Sequence, residues 1–313
     1  MQLHQTSGRW RLGLALSLLT VFLWGILPIA LAVTLQVLDV YTVTWSRFLI
    51  AFGLLAVYLA SRKQLPTLGE LRSASWGMLA IATVGLGLNY LLYLQGLAQT
   101  SPTNAQVIIQ LAPLFMGLGA LAVFKERYNL PQRIGLGILT LGLTLFFKEQ
   151  LKTLLTAQAT YLLGNVILVV ASIAWAIYAL IQKQLLQKLP SASIMLVIYG
   201  GCTLLFTPLA APQHLVSLSP LTLSMLLFCG LNTLIAYGAF AEALEHWEAS
   251  RVSAVLATAP LVTLLSVPAV AWLTPSLIAP EHLTVLGVLG AIFVVVGSIA
   301  IAIGKNQPQT TEK

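Results

Sequence analysis

One arginine stands apart from the other charged residues of the chain because a long apolar stretch surrounds it. Arg47 lies eight residues beyond Asp39 in segment 40–61, which holds no other charge. At about 1.5 Å of rise per helical residue, Arg47 sits roughly 12 Å inside such a segment. A cation at that depth usually faces protein or a water-filled cavity, where it could attract the carboxylate of a solute. Alternatively, Arg47 caps carbonyl groups at a broken helix or extends outward to a polar boundary.

Two glutamines form a second candidate group. Gln106 and Gln110 lie one helical turn apart, and Pro113 follows. A proline has no backbone N–H, so the carbonyl of Ile109 loses its helical donor. The amides and this carbonyl could line a path for a polar solute. The alternative is that they are hydrogen bonds between helices and an ordinary kink.

Aromatic and amide side chains recur at similar depths in other apolar segments. We predict that they form the walls of a site for a small amphipathic solute, although a tryptophan in mid-helix also serves as core packing. With Arg47 and the glutamines, the predicted substrate-binding set is Trp24, Arg47, Asn89, Tyr93, Gln106, Gln110, Trp175, Tyr178, Asn232 and Tyr237.

Acidic residues and histidines are placed unfavourably for proton transfer at mid-membrane. All nine Asp and Glu residues and all four His residues lie in loops or near the ends of apolar segments. Glu242 lies deepest among the acids and is the one candidate for ion coupling. A facilitator or an exchanger is therefore the simpler interpretation.

Motifs of catalysis are absent from the sequence, which contains no HExxH, GxSxG or P-loop pattern. The two cysteines, Cys202 and Cys229, lie in apolar segments without a CxxC pattern or nearby histidine. We therefore predict that the protein is not an enzyme, and that it binds no metal and no cofactor.

The composition requires a lipid environment, since 58% of the residues are hydrophobic, 8% are charged and the mean hydropathy is +0.91. A water-soluble domain would expose large apolar patches. The net charge of +7 comes from residues at segment ends, which indicates membrane topology rather than a nucleic-acid partner.

The apolar segments predict an all-α polytopic membrane protein with ten transmembrane helices. Trp24 and Trp175 recur at a separation of 151 residues, and Ala112-Pro113 and Ala259-Pro260 recur at 147. This order indicates a duplicated five-helix unit, with repeats at 1–152 and 153–313. The predicted spans are 12–35, 40–61, 75–98, 104–124 and 131–147, then 161–181, 192–210, 221–244, 252–273 and 283–303.

The odd number of spans per repeat predicts that the two halves are inverted in the membrane. With a cytoplasmic N-terminus, thirteen of the sixteen basic residues face the cytoplasm and only Lys148 and Lys152 face outward. That asymmetry satisfies the positive-inside rule and predicts both termini in the cytoplasm. Gly290, Gly297 and Gly304 form a smooth stripe for packing within the fold, which would also suit a homodimer.

Several short motifs resemble the EamA type of the drug/metabolite transporter superfamily over nearly the whole chain. They are Leu23-Trp24-Gly25, the run from Tyr41 to Ile50, Phe124-Lys125-Glu126-Arg127, and the spacing of Gly135 and Gly142. The resemblance implies an inner-membrane metabolite transporter, often an amino-acid exporter, with a cavity between its halves. Arg47 and Glu126 carry over from the family pattern. The second repeat departs from it at Ile198, at Leu273 and in an insertion at 275–282.

Together these observations predict a secondary transporter that moves a small metabolite by alternating access, with amino acids favoured as substrates. The small-molecule substrate and the lipid bilayer are its predicted partners. A nucleotide-sugar or drug transporter of the same fold is the alternative, and a channel is a more distant one.

Overall fold

A computed structural model of the chain describes residues 6–124, 128–156, 159–275, 277 and 285–303. Over these residues the chain is all-α, as predicted, with no strand and with one 3-10 turn at Pro212–Leu215. In chain order the helices are α1 (Trp10–Leu35), α2 (Val40–Ser61), α3 (Leu68–Ser73), α4 (Trp76–Gln99), α5 (Pro102–Ile108), α6 (Leu111–Val123), α7 (Leu130–Thr156), α8 (Ala159–Leu185), α9 (Ser191–Phe206), α10 (Pro220–His246), α11 (Ala249–Leu256), α12 (Ala259–Leu273) and α13 (Val285–Ile303).

Six helical stretches are long and apolar enough to cross a membrane. They are α1, α2, α4, α8, α10, and α11 with α12 taken together as Ala249–Leu273. Shorter apolar helices occupy Leu114–Val123, Leu130–Leu145, Ser191–Phe206 and Val285–Ile301. The chain is therefore a multi-pass membrane protein. The count of ten spans stays a prediction.

Two of the predicted spans are each divided into two helices. The span 104–124 becomes α5 and α6, which are separated by Ile109 and Gln110, and the span 252–273 becomes α11 and α12, which are separated by Ala257 and Thr258. Pro113 and Pro260 follow these breaks in the sequence, and neither residue can donate a backbone hydrogen bond.

The end of the first half differs from the prediction. Helix α7 continues to Thr156 instead of ending near residue 147, so the predicted repeat boundary between residues 152 and 153 falls inside a helix. Lysine, glutamate, glutamine and leucine dominate this extension, and all four have high helix propensity. Glu126, Gly304 and most of the insertion at 275–282 lie outside the described residues.

The start of α2 is set by a side-chain cap that determines the depth of Arg47. The carboxylate of Asp39 accepts hydrogen bonds from the amides of Tyr41 and Thr42 at 2.9 and 3.0 Å, and from the Thr42 hydroxyl at 2.6 Å. Partial burial raises the pKa of Asp39, but these hydrogen bonds to Thr42 and Tyr41 outweigh it, so the pKa lies below its usual value. The charged cap stabilises the helix start.

Helices from the two halves interleave across the molecule. The most extensive contacts join α7 with α13, α4 with α8, and α1 with α10, and each of these pairs combines one helix from each half. The two largest clusters of buried apolar side chains both pack against Trp24. The space between the clusters is where the polar side chains of several helices meet.

Glycines allow α7 and α13 to approach until their backbones touch. A Cβ atom added at Gly142 would lie 2.6 Å from the backbone nitrogen of Val294 and 2.7 Å from the carbonyl oxygen of Gly290. A Cβ atom added at Gly135 would lie 2.8 Å from the carbonyl oxygen of Gly297. Gly290 and Gly297 of the predicted stripe therefore pack within the fold, against α7.

This contact generates a prediction about stability. We expect Gly142→Ala to lower the free energy of unfolding by about 1–3 kcal/mol, because the methyl group meets backbone atoms that cannot move aside. The matched control is Gly137→Ala in the same helix, where the added Cβ has no neighbour within 4 Å. That variant should be neutral or gain up to about 1 kcal/mol from helix propensity. Thermal unfolding in detergent measures both, and equal effects would contradict the close packing.

Candidate functional site

A cavity lies at the middle of the molecule, beside the break between α5 and α6. The cavity volume is about 70 Å³, which leaves room for several water molecules in the state seen here. Helices α1, α2, α4, α5, α6, α8, α10 and α11 contribute to it, together with both residues between α5 and α6. Its lining residues are Trp24, Leu27, Arg47, Asn89, Tyr90, Tyr93, Gln106, Ile109, Gln110, Ala112, Trp175, Tyr237 and Leu256.

Arg47 is held in this wall by residues from two neighbouring helices. Its side chain is only 2% exposed, and its Nε donates a hydrogen bond to Thr233 Oγ1 at 3.1 Å. The guanidinium carbon lies 4.2 Å from the centre of the Tyr90 ring. The Tyr90 hydroxyl donates to the same Thr233 oxygen at 3.3 Å, and Thr233 donates to the carbonyl of Cys229 at 2.9 Å. The Thr233 hydroxyl thus uses its single donor and both lone pairs.

The positive charge of Arg47 has no acidic counterpart in the part of the chain that the structure describes. The ion pairs found there join other residues, and no acidic residue lines the cavity. A cation–π contact and one hydroxyl offset only part of the cost of removing a guanidinium from water. Arg47 therefore presents a positive charge on the cavity wall that no acid of the described residues neutralises.

The helix break places two amides on the cavity wall. Gln110 Nε2 donates to the carbonyl of Gln106 at 3.1 Å, and the Tyr93 hydroxyl donates to Gln106 Oε1 at 3.3 Å. Gln110 Oε1 is buried without a hydrogen-bond partner among the described residues. The carbonyl of Ile109 is not free, because it accepts from the amide of Ala112 at 2.8 Å. A solute that donates a hydrogen bond would satisfy Gln110.

Aromatic rings form another part of the cavity wall. Trp24 meets Trp175 edge-on with ring centroids 5.6 Å apart, and it packs against Tyr237 at 4.9 Å. The indole Nε1 of Trp24 is buried and has no partner in the described part of the chain. Asn89 also lies at the cavity, but its amide donates to the carbonyl of Ala171 at 3.0 Å. The wall therefore offers apolar ring faces and one unused N–H donor.

Eight of the ten predicted binding residues line this cavity, and two do not. Tyr178 lies behind Trp175, fully buried, with its hydroxyl donating to Met195 Sδ at 3.4 Å. Asn232 connects α10 to α1 by donating to the carbonyl of Leu23 at 2.7 Å. The amide of Asn232 faces a neighbouring backbone, since it lies one residue away from the side of α10 that carries Thr233 and Tyr237. That the eight bind a solute stays a prediction.

Glu242, the predicted coupling residue, lies outside the cavity, near the end of α10. Its carboxylate accepts a hydrogen bond from Ser191 and lies 3.4 Å from His246 Nε2. The side chain is 41% exposed, and His246 Nδ1 lies 2.7 Å from the Ser7 hydroxyl. This carboxylate therefore does not line the cavity; it contacts α9 through Ser191, and His246 in turn contacts the N-terminal segment.

Sequence reasoning missed two residues that position Arg47. Tyr90 and Thr233 were visible only as an ordinary aromatic and an ordinary hydroxyl in apolar segments. A signal that could have found them is that a buried arginine needs an aromatic ring face and a hydrogen-bond acceptor at its own depth in the membrane. Three further residues line the cavity and carry no polar signal in the sequence: Leu27, Ala112 and Leu256.

The chain matches known proteins along most of its length. Two stretches, residues 11–148 and 162–303, each match the EamA-like transporter family. The chain is 40% identical over 294 residues to an uncharacterized inner membrane transporter, YhbE, of Escherichia coli strain K12, covering 94% of this chain and 92% of that protein. It is 24% identical over 300 residues to a probable amino-acid metabolite efflux pump of Salmonella typhimurium, covering 90% of this chain and 92% of that protein.

A crystal structure of another protein has a similar fold. It superposes on the chain with a TM-score of 0.66 at 16% sequence identity, covering 92% of this chain and 96% of that one. This likeness concerns the fold alone. The double family match covers well over half of the chain and agrees with the relative at 40% identity. The chain therefore belongs to the EamA-like transporter family.

Proposed function

We propose that the protein is a secondary transporter that moves a small metabolite carrying a carboxylate, and that amino acids are the favoured class. The observation that carries this proposal is the position of Arg47. It is a buried cation on the wall of a central cavity, and the described residues provide no acid to neutralise it. A carboxylate from outside the chain would complete the site.

Both charges of an amino acid find a complementary group in the cavity. The carboxylate would pair with Arg47, with the unused Trp24 Nε1 as a further donor. The ammonium group would donate to Gln110 Oε1 and lie against aromatic ring faces, which attract cations. The name of the Salmonella typhimurium relative, which refers to amino-acid metabolite efflux, supports the same class at 24% identity.

Alternating access would follow from two five-helix repeats of opposite orientation in an inner membrane, with both termini in the cytoplasm. The pairing of helices supports a two-fold relation, because the contact of α1 with α10 has its counterpart in that of α8 with α4. The contact of α1 with α12 likewise corresponds to that of α8 with α6. The distribution of basic residues supports the orientation. With Glu242 distant from the cavity, a facilitator or exchanger is the simplest mechanism.

Substitution of Arg47 tests the anion site. In proteoliposomes, we expect Arg47→Ala to lower kcat/KM for carboxylate counterflow roughly 10- to 100-fold, the value of a hydrogen bond to a charged group. The matched control is Arg62→Ala at the C-terminal cap of the same helix, since Arg62 also lies over a tyrosine ring, Tyr58 at 5.8 Å, but is exposed. Its flux should stay within about twofold of the wild type, because exposed charges contribute little.

Two outcomes would contradict the proposed function. Unchanged carboxylate transport by folded Arg47→Ala protein would remove Arg47 from the site. Linear flux that does not saturate in the wild type would indicate a channel in place of a transporter.

Substitution of Gln110 tests recognition of the ammonium group. We compare transport of an amino acid with that of the corresponding carboxylic acid, which lacks the amino group. We expect Gln110→Leu to reduce the preference for the amino acid by roughly 5- to 10-fold, because the variant loses about one hydrogen bond. Competition for counterflow measures this ratio. Gln99→Leu is the matched control, because Gln99 Oε1 is also buried and unpartnered in the described part of the chain but lies outside the cavity. A ratio unchanged in Gln110→Leu would refute this assignment.

A further inference from the structure

One face of α8 carries polar groups away from the cavity toward the end of the helix at Leu185. Trp175, Tyr178 and Gln182 lie at intervals of three and four residues, so they share this face. We call these three residues the α8 stripe. Trp175 lines the cavity, and Gln182 lies about 10 Å further along the helix axis at 1.5 Å per residue.

The polar groups of the α8 stripe are poorly satisfied where they lie. Gln182 is 0% exposed, and neither Oε1 nor Nε2 has a hydrogen-bond partner among the described residues. The Tyr178 hydroxyl donates to a thioether sulfur of Met195, which is a weak acceptor. A buried polar group without a partner is destabilising by about 1–3 kcal/mol. The closed packing seen here therefore gains nothing from a glutamine at this position.

The first half of the chain shows that packing does not require these polar groups. Trp24 corresponds to Trp175 at a separation of 151 residues, and the same separation pairs Tyr178 with Leu27 and Gln182 with Leu31. Both leucines are buried in an apolar cluster on α1. The corresponding positions after the tryptophan are thus apolar in the first half of the chain and polar in the second half.

We propose that the α8 stripe is the wall of a second chamber, which fills with water when the two halves rearrange and in which Gln182 hydrogen-bonds the passing solute. This inference rests on the alternating access of the proposed function. In the state described here the chamber is closed between the central cavity and the end of α8, the predicted cytoplasmic side. Its opening would satisfy Gln182 and Tyr178.

Neighbouring residues supply suitable chemistry at the same level. Lys183, the next residue along α8, is also buried, with its Nζ 5.1 Å from the centre of the Phe124 ring. Ser191 and the carboxylate of Glu242 lie near the same ends of α9 and α10. The second chamber would therefore take a small molecule with hydrogen-bonding groups.

Labelling with a membrane-impermeant maleimide tests whether the chamber opens. The cysteines are introduced into a background that carries Cys202→Ala and Cys229→Ala. Gln182→Cys is compared with two controls. Ile177→Cys lies on the exposed face of α8, where Ile177 is 45% exposed, and Lys188→Cys lies in the exposed connection after α8. If the open state is 0.1–10% populated, Gln182→Cys should react about 10- to 1,000-fold more slowly than Lys188→Cys, from the same membrane side. It should still react faster than Ile177→Cys, which faces lipid.

Labelling of Gln182→Cys that is no faster than that of Ile177→Cys would overturn the proposal. The experiment needs no substrate, so its result is independent of the role of Arg47. Gln182→Cys can also be combined with Arg47→Ala. If Gln182→Cys is still labelled in that combination and Arg47→Ala leaves the carboxylate flux unchanged, the second chamber is retained and the proposed anion site is rejected.

A second variant separates a role in the path from a role in packing. We expect Gln182→Leu to raise Tm by roughly 2–4 °C, since it removes unpaired polar atoms from the closed state, and to slow the turnover of counterflow severalfold. Gln99→Leu should leave turnover unchanged, because Gln99 lies outside both chambers. A lower Tm with normal turnover in Gln182→Leu would make this glutamine a packing residue and overturn the proposal.

Discussion

The charge of Arg47 is the constraint on which the central part of the structure depends. A guanidinium this deep in an apolar bundle must be stabilised by protein groups or by a solute, because lipid offers neither. Tyr90 on α4 and Thr233 on α10 provide a ring face and one acceptor oxygen, and both must lie against α2 for Arg47 to be tolerated. Arg47 also lines the cavity, so the same residue that links three helices brings a positive charge to the cavity wall.

Much of the architecture was predictable because lipid imposes a strict relation between sequence and helix length. Continuous apolar runs predicted helices such as α1 and α2, and Pro113 and Pro260 indicated where two helices are interrupted. The extent of the interruptions was not predictable. At the first one the amide of Ala112 replaces the missing donor for Ile109, which is a local rearrangement that no residue pattern specifies.

The candidate site was predictable where a residue type is poorly tolerated in lipid and unpredictable where it is ordinary. Arg47, Gln106 and Gln110 had to face the interior of the bundle, and they line the cavity. Tyr178 shares a helix face with Trp175, yet one further turn carries it from the cavity wall into packed side chains beside Met195. Thr233 could be recognised only once α10 and α2 were placed side by side, since threonines are common in membrane helices.

The backbone contact between α7 and α13 also bears on how the halves can move. Side chains at an ordinary helix interface can change rotamer and so absorb a small displacement, whereas Gly142 and Gly297 have none to change. Sliding or separation at this seam would break many close atomic contacts at once. In the proposed alternating access, this seam would therefore serve as the pivot. Larger displacements would fall on the interfaces built from flexible side chains, such as that between α2 and α9.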